Sequence, residues 1–220
     1  MKAVVLKGHG GLEQLEYRDD VPVPAPAAGE VLLQVGAAGV NNTDINTRIG
    51  WYSKSVAADT AQAARQAPQG EDDSGWAGTA FVFTRIQGAD ACWLIVAVDA
   101  VVSSSRIGER VLVDPVLRAA DGDLAGVQYL GVGRDGAFAE YLTVPAPNAH
   151  CIESTLTDAQ LASFPCAYSA AENMLERAAL TTHETVLVTG ASGGVGAAVV
   201  QLARLRGARV IAITAQDKAL

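Results

Sequence analysis

The sequence predicts an α/β plus β protein, with an irregular, mostly β domain first and an incomplete doubly wound parallel sheet after it. Three observations carry this expectation. Short apolar runs broken by Gly and Pro fill roughly the first 150 of 220 residues. Helical composition takes over at 157–179. A strand pattern, a glycine turn, a helical pattern and a second strand pattern then follow without a linker at 185–214.

Met1 to Leu6 reads as a short strand, and Leu12 to Tyr17 contains the alternating pair Leu15 and Tyr17. Val21-Pro22-Val23-Pro24-Ala25-Pro26 must be extended, because each proline lacks an N–H and restricts the residue before it. Gly29-Glu30 turns into a strand over Val31–Val35. The small, polar stretch Gly36 to Asp44 follows, and Asn42 or Thr43 is placed to cap a short helix through Arg48. Ala58 to Gln66 has helical composition, and Gln69 to Gly78 is a surface segment rich in Gly, Asp and Ser. Phe81 to Val102 is β-like, Gly108 to Val113 is a turn and a strand, Arg118 to Asp135 is loop-rich, and Gly136 to Pro145 is a further strand. Helices are expected at Leu156–Phe164 and Ser169–Leu180, so the two domains divide as 1–160 and 161–220. No internal repeat or low-complexity tract interrupts this order.

The last part is the most informative. Val186 to Val188 is an apolar, β-branched run suited to a buried parallel strand. Val195, Val199, Leu202 and Leu205 recur at three- and four-residue spacing and give the following helix an apolar face. Gly207-Ala208 stops the helix, and Arg209 to Thr214 is the second strand. Such a βαβ unit presents unpaired N–H groups and a partial positive charge at the helix start, which suits a pyrophosphate. Side chains would hold the phosphates away, so Gly193-Gly194 belong in the turn, and Gly196 lets helix and strand approach. Ala191 stands where the first glycine of G-x-G-x-x-G usually falls. The cofactor-binding candidates are therefore Ala191, Ser192, Gly193, Gly194, Val195 and Gly196; the alternative is a tight turn that binds nothing. An acid at the end of the second strand would hold ribose hydroxyls and select NAD. Thr214 stands there instead, eighteen residues after Gly196, with Lys218 beyond it. A neutral residue with a nearby cation tolerates a 2′-phosphate, so NADP(H) is favoured over NAD(H), with Asp217 the residue able to reverse that preference.

Composition narrows the partners. Half the residues are hydrophobic and 18% are charged, enough for a sizeable core. The formal charge of −8 argues against nucleic acid or an anionic membrane as the main partner. The apolar start is too short for a signal peptide and no run approaches the length of a membrane span. Cys92, Cys151 and Cys166 are odd in number and scattered, which points to a reducing cytoplasm rather than a disulfide frame.

Six stretches together carry a resemblance: Met1-Lys2-Ala3-Val4-Val5, Gly29-Glu30-Val31-Leu32, Ala38-Gly39-Val40-Asn41-Asn42-Thr43-Asp44, Gly108-Glu109-Arg110-Val111, Gly136-Ala137-Phe138-Ala139-Glu140-Tyr141, and the glycine turn. In this order they resemble the medium-chain dehydrogenase/reductase superfamily, the zinc-type alcohol dehydrogenases and quinone oxidoreductases. The resemblance implies a GroES-like irregular β-barrel domain followed by a Rossmann domain. It implies hydride transfer between NAD(P)H and a small-molecule carbonyl, alcohol or activated alkene, with the substrate in the cleft between domains and the parent enzyme a homodimer. A full Rossmann domain needs about six strands. Only two are expected before Leu220, so the chain is expected to be a C-terminally truncated piece of a longer enzyme with weak cofactor affinity.

The departures from the family pattern are specific. Zinc members carry a Cys, a His-Glu pair and a further Cys or Asp at positions that here are Asn41, Ala89-Asp90 and Cys166. Catalytic zinc takes three protein ligands and one open position, so no zinc is expected. Asn41 matches the zinc-free quinone reductase branch, in which hydride transfer relies on positioning and on polarising the acceptor, a quinone or α,β-unsaturated carbonyl. Asn41, Thr43 and Asp44 are candidates for that site, with loop capping the equal alternative. Tyr52 is either a substrate contact or a packed loop aromatic, and Cys166 is a small buried residue. An alcohol dehydrogenase with a metal on Asp90 and Cys166, and an inactive GroES-like binding module, remain as alternatives. Trp93 and Asp99 stand where the family uses turn glycines, which predicts local strain and a shifted strand path. Residues 51–80, including Trp51 and Trp76, form an insertion that is either a lid or a surface excursion.

Overall fold

The computed structural model describes residues 1–57, 75, 80–118 and 127–215. The expected helix over Ala58–Gln66, the Gln69–Gly78 segment, Trp76, Asp217 and Lys218 lie outside the described residues, apart from Gly75. The chain divides into two compact units, Met1–Ser163 and Phe164–Leu220.

In the first unit a five-stranded antiparallel sheet carries the core. Its strands are β3 (Glu30–Gly39), β5 (Asp90–Val98), β6 (Arg110–Val113), β9 (Tyr141–Pro145) and β10 (Ala149–Cys151), in the order β10-β6-β5-β3-β9. A second sheet orders β2 (Leu15–Arg18), β1 (Ala3–Leu6) and β4 (Arg85–Ile86), and β7 (Val116–Leu117) pairs with β8 (Gln128–Tyr129). Buried residues alternate along β6 and the first half of β3, as the two-residue period of a half-buried strand requires, while β5 and β9 each bury three consecutive residues. Val31, Leu33, Ile95, Val111, Leu130 and Val144 are each at most 1% exposed and share one cluster.

The strand β3 runs past its expected end at Val35, because Ala37, Ala38 and Gly39 pair with Cys92, Ala91 and Asp90 of β5. Small side chains fit there: a Cβ on Gly39 would stand 2.5 Å from the Ala162 carbonyl oxygen. The strand expected over Gly136–Pro145 begins only at Tyr141; Gly136 and Phe138 instead donate to the Ile86 and Gln87 carbonyls.

The strain expected at Trp93 and Asp99 is not found. Among the described non-glycine residues, positive φ occurs at Ala179 and His183. Trp93 pairs with Val35 in a continuous β5, and a register shift leaves Gly36 as the extra residue opposite. The indole covers Gly36 so closely that a Cβ there would fall 1.8 Å from the ring. Asp99 builds a turn around its own carboxylate, which accepts from the Gly29 and Val101 amides at 3.0 and 3.1 Å. Those donations hold its carboxyl below the usual range, the Gly29 bond foremost.

The helix α1 (Asn42–Arg48) follows β3, and α2 (Asp158–Leu161) closes the first unit with a Thr157–Gln160 capping box. In the second unit α3 spans Pro165–Arg177, starting four residues before the expected Ser169 with Pro165 in its first turn, where a missing N–H costs nothing. Then come β11 (Thr185–Thr189), α4 (Gly194–Leu205) and β12 (Arg209–Ile213). The two strands pair in parallel, Val186 with Val210 and Val188 with Ala212. Val188 packs with Ala198, Val199 and Ala203 of α4 and with Ala171 and Leu175 of α3. Leu205, expected on the apolar face of α4, is 83% exposed. It lies six residues after Val199, about 120° round the helix at 3.6 residues per turn. On the other sheet face Leu187, Ile211 and Ile213 are exposed.

Candidate active site and cofactor cradle

The first cluster forms where β3 gives way to α1. Asn41, not Asn42 or Thr43, is the N-cap. Its Oδ1 accepts from the Thr43 amide at 3.4 Å, and Asp44 Oδ2 accepts from the Asn41 amide at 2.8 Å, a reciprocal capping box. Asp44 also reaches across the sheet. Its Oδ1 accepts from the Gly88 amide at 3.0 Å, while Gln87 Nε2 donates to its carbonyl at 2.9 Å. Asn41 Nδ2 donates to Asp90 Oδ2 at 3.3 Å. Asp44 and Asp90 are both buried, at 7% and 2% exposure. Burial, chiefly, and the neighbouring Asp90 charge push the Asp44 carboxyl up to about 6, against the pull of its two amide donors.

The Thr43 hydroxyl is buried with no hydrogen-bond partner among the described residues. Asn46 Oδ1 and Thr47 Oγ1 of the same helix are likewise buried without a partner among the described residues. Tyr52 stands in the turn after α1, 42% exposed, with its ring edge-on to Trp51. Gln87 and Gly88 went unrecognised in the sequence. Their partner Asp44 is more than forty residues away, and no local spacing marks such a pair.

At two of the family's zinc positions the residues here, Asn41 and Ala89, offer no charged or imidazole ligand. Asn41 offers an amide that already bonds Thr43 and Asp90, both Asp44 oxygens already accept N–H groups, and Ala89 carries no donor atom. Among the described residues no three His, Cys, Asp or Glu side chains group as metal ligands. Cys166 is buried near the start of α3, and burial pushes the Cys92 thiol up to about 11, far from a thiolate.

The second cluster is the glycine turn. Gly190 takes φ +63°, so the left-handed residue falls one position before Ala191, and the alanine carries no strain. Gly193 donates to the Gly190 carbonyl at 3.0 Å and then caps α4 with no side chain. The Ala197 amide bonds the Gly193 carbonyl at 2.8 Å, so the Gly194, Val195 and Gly196 amides precede the first intrahelical bond. A Cβ on Gly196 would fall 2.2 Å from the Gly190 oxygen, so only glycine lets the helix start this close to the turn. Ala191 donates to the Ile213 carbonyl at 3.0 Å, and Thr214 Oγ1 donates to Ser192 Oγ at 2.7 Å. The structure thus brings Ala191 to Gly196 and Thr214 together. Ser192, Gly193 and Gly194 are exposed, and the glycine-walled cradle of amides fits a pyrophosphate.

Residues 27–154 match the family model of the alcohol dehydrogenase GroES-like domain. The chain is 30% identical over 230 residues to the acryloyl-coenzyme A reductase of Metallosphaera sedula, covering 99% of this chain and 60% of that protein. Among solved structures, a Sinorhizobium meliloti protein provisionally assigned as an alcohol dehydrogenase is 51% identical with a TM-score of 0.83, covering 99% of this chain and 58% of that one. The quinone oxidoreductase of Thermus thermophilus, solved also in complex with NADPH, is 27% identical with a TM-score of 0.65, covering 99% of this chain and 55% of that one. The chain thus spans little more than half the length of these relatives. The GroES-like match, with the glycine turn in its βαβ unit, makes the chain a member of the medium-chain dehydrogenase/reductase superfamily.

Proposed function

We propose that the chain is part of a zinc-independent, NADP(H)-linked oxidoreductase that reduces quinones or α,β-unsaturated carbonyls. The observation that carries the reading is the start of α4, where three consecutive amides lie ahead of the first helical bond behind a side-chain-free cap. Bound there, the dinucleotide supplies a hydride to the acceptor. The chain's own part is to hold and orient. The Gly194, Val195 and Gly196 amides take the pyrophosphate, while Gly193 keeps its approach open. The neutral Thr214–Ser192 pair at the strand end leaves room for a 2′-phosphate, and Lys218 supplies the countercharge. Residues 1–160 serve the acceptor. There Asp44 fixes Asn41 at the end of β3, and the Thr43 hydroxyl offers a hydrogen bond to the acceptor oxygen as charge develops on it. Tyr52 is an exposed aromatic suited to a flat quinone or enone. The parent enzyme is read as a cytoplasmic homodimer; no described helix is long and apolar enough to cross a membrane.

Titration of NADPH and NADH into the purified chain, followed by nicotinamide fluorescence, tests this reading. Saturable binding with NADPH preferred is the expected result, followed by turnover in a quinone and enone screen with the longer parent enzyme. NADH preference removes the 2′-phosphate argument; binding of neither by this chain confines the reading to the longer parent enzyme, and binding of neither by that enzyme refutes the cradle. Metal analysis of protein purified from zinc-supplemented medium should find well below one zinc per chain; stoichiometric zinc favours the alcohol dehydrogenase reading.

A further inference from the structure

The first unit holds a second concavity, of about 370 Å³, that the proposed oxidoreduction does not use. Its volume lies within the range of small-molecule sites. One wall is Met1 with the proline strap from Val21 to Pro24, where the Met1 ammonium donates to the Val21 carbonyl; the others are β4, Gln128, the Gly133–Gly136 turn and β9. The chemistry is divided. Val21, Pro24 and Leu142 give an apolar side, and Arg85, Arg134 and Asp135 give a polar one.

The two arginines differ in what they have left to offer. Arg134 donates to Glu30 at 2.6 Å and to Thr143 at 2.8 Å. Arg85 donates from Nη1 to Asp135 at 3.1 Å, but its Nε is buried with no partner among the described residues. A buried N–H without an acceptor destabilises the fold unless a ligand completes it. A guanidinium with an N–H still unpartnered suits a carboxylate, a strong anionic acceptor. Asp135 Oδ1 is held by the Ile86 amide as well as by Arg85 Nη1, so the carboxylate stays on the Nη1 side of the guanidinium and leaves the Nε side to a ligand.

The same wall supports the Asn41–Asp44 loop. Directly after Arg85 and Ile86 come Gln87 and Gly88, the two residues that clamp Asp44. Asp135 also accepts from the Ile86 amide at 3.0 Å, and Gly136 donates to the Ile86 carbonyl at 2.7 Å.

We propose that this cavity is a second ligand site, which takes a small organic carboxylate with a compact apolar body onto Arg85 and tightens the clamp on Asp44. The inference stands apart from the oxidoreductase reading, since neither Arg85 nor the cavity takes part in cofactor binding. Calorimetric titration of hexanoate into the full chain should show one saturable site at millimolar concentration. Uncharged hexanamide should bind at least tenfold more weakly. Arg85→Met should weaken hexanoate at least tenfold and leave the NADPH titration unchanged. Val21→Trp, which fills the apolar side and spares the arginine, should do the same and serves if Arg85→Met does not fold. Hydrogen exchange of the Gly88 and Asn41 amides should slow with hexanoate bound. No saturable hexanoate binding to the unaltered protein overturns the site, as does equal binding of hexanamide. Exchange that does not change on binding overturns the link to Asp44.

Discussion

Replacing Asp44 with asparagine should remove a distinct pH dependence from the stability of the β unit. The carboxyl is 7% exposed and accepts two backbone amides, yet burial and Asp90 outweigh those bonds and place it at about 6, above the ordinary 3.8. Between the two values the folded chain keeps a proton that the unfolded chain has lost. Raising the pH through this window therefore favours the unfolded state, and the contribution present at low pH is lost as pH rises through 6. For one group with these two pKa values, linkage gives a loss of roughly 2 kcal/mol between about pH 4.5 and 7.5, and roughly 3 kcal/mol in the high-pH limit. Asparagine retains one acceptor for the amides and does not titrate. Its lost hydrogen bond shifts stability equally at every pH, so the slope is the readout. Urea unfolding of both proteins across this range should show Asp44→Asn gaining on the unaltered chain as pH rises. Asp90→Asn should shrink the effect, because it removes the like charge that helps to raise Asp44. Parallel stability curves for the unaltered chain and Asp44→Asn refute the argument.

Two glycines give further tests. Gly196→Ala drives a Cβ to 2.2 Å from the Gly190 oxygen, so overpacking should cost about 1–3 kcal/mol in urea unfolding and weaken the NADPH titration. Gly36→Ala places a Cβ 1.8 Å from the Trp93 ring and should destabilise by a similar amount, about 1–3 kcal/mol. In a Trp93→Ala background that cost should largely vanish, with a coupling of about 0.5–3 kcal/mol in a double-mutant cycle. Additive costs would show that the indole does not occupy the glycine's space.

What could be read from the sequence followed from how local its cause is. The βαβ unit was legible because strand, turn and helix each carry their own period within thirty residues; the structure keeps Val186–Val188 and Arg209–Ile213 as strands, with Gly193 as the helix cap and Gly194 already the first helical residue. Helix starts were less legible. Asn41, Asn42 and Thr43 are all capping types, and the choice among them was made by Asp44, three residues after Asn41 and able to close the box. Leu205 failed because a spacing of three and four residues drifts round the helix when it is extended too far.

The strain argument failed for a different reason, and that failure bears on how the family pattern constrains this chain. A glycine at positive φ is hard to replace only while the backbone stays where the family has it. Here the backbone around both sites makes room. Opposite Trp93, the missing side chain of Gly36 supplies the volume the indole needs, so the glycine has in effect moved to the paired strand. At Asp99 a carboxylate gathers the Gly29 and Val101 amides, doing through a side chain what a glycine would do through φ. Both compensations join residues tens of positions apart, Gly36 with Trp93 and Gly29 with Asp99, and no reading of one strand at a time contains them. The lost glycines are therefore no evidence of a damaged β unit. The proposed function therefore rests on the two clusters that the backbone does hold in place, Asn41–Asp44 and the glycine turn.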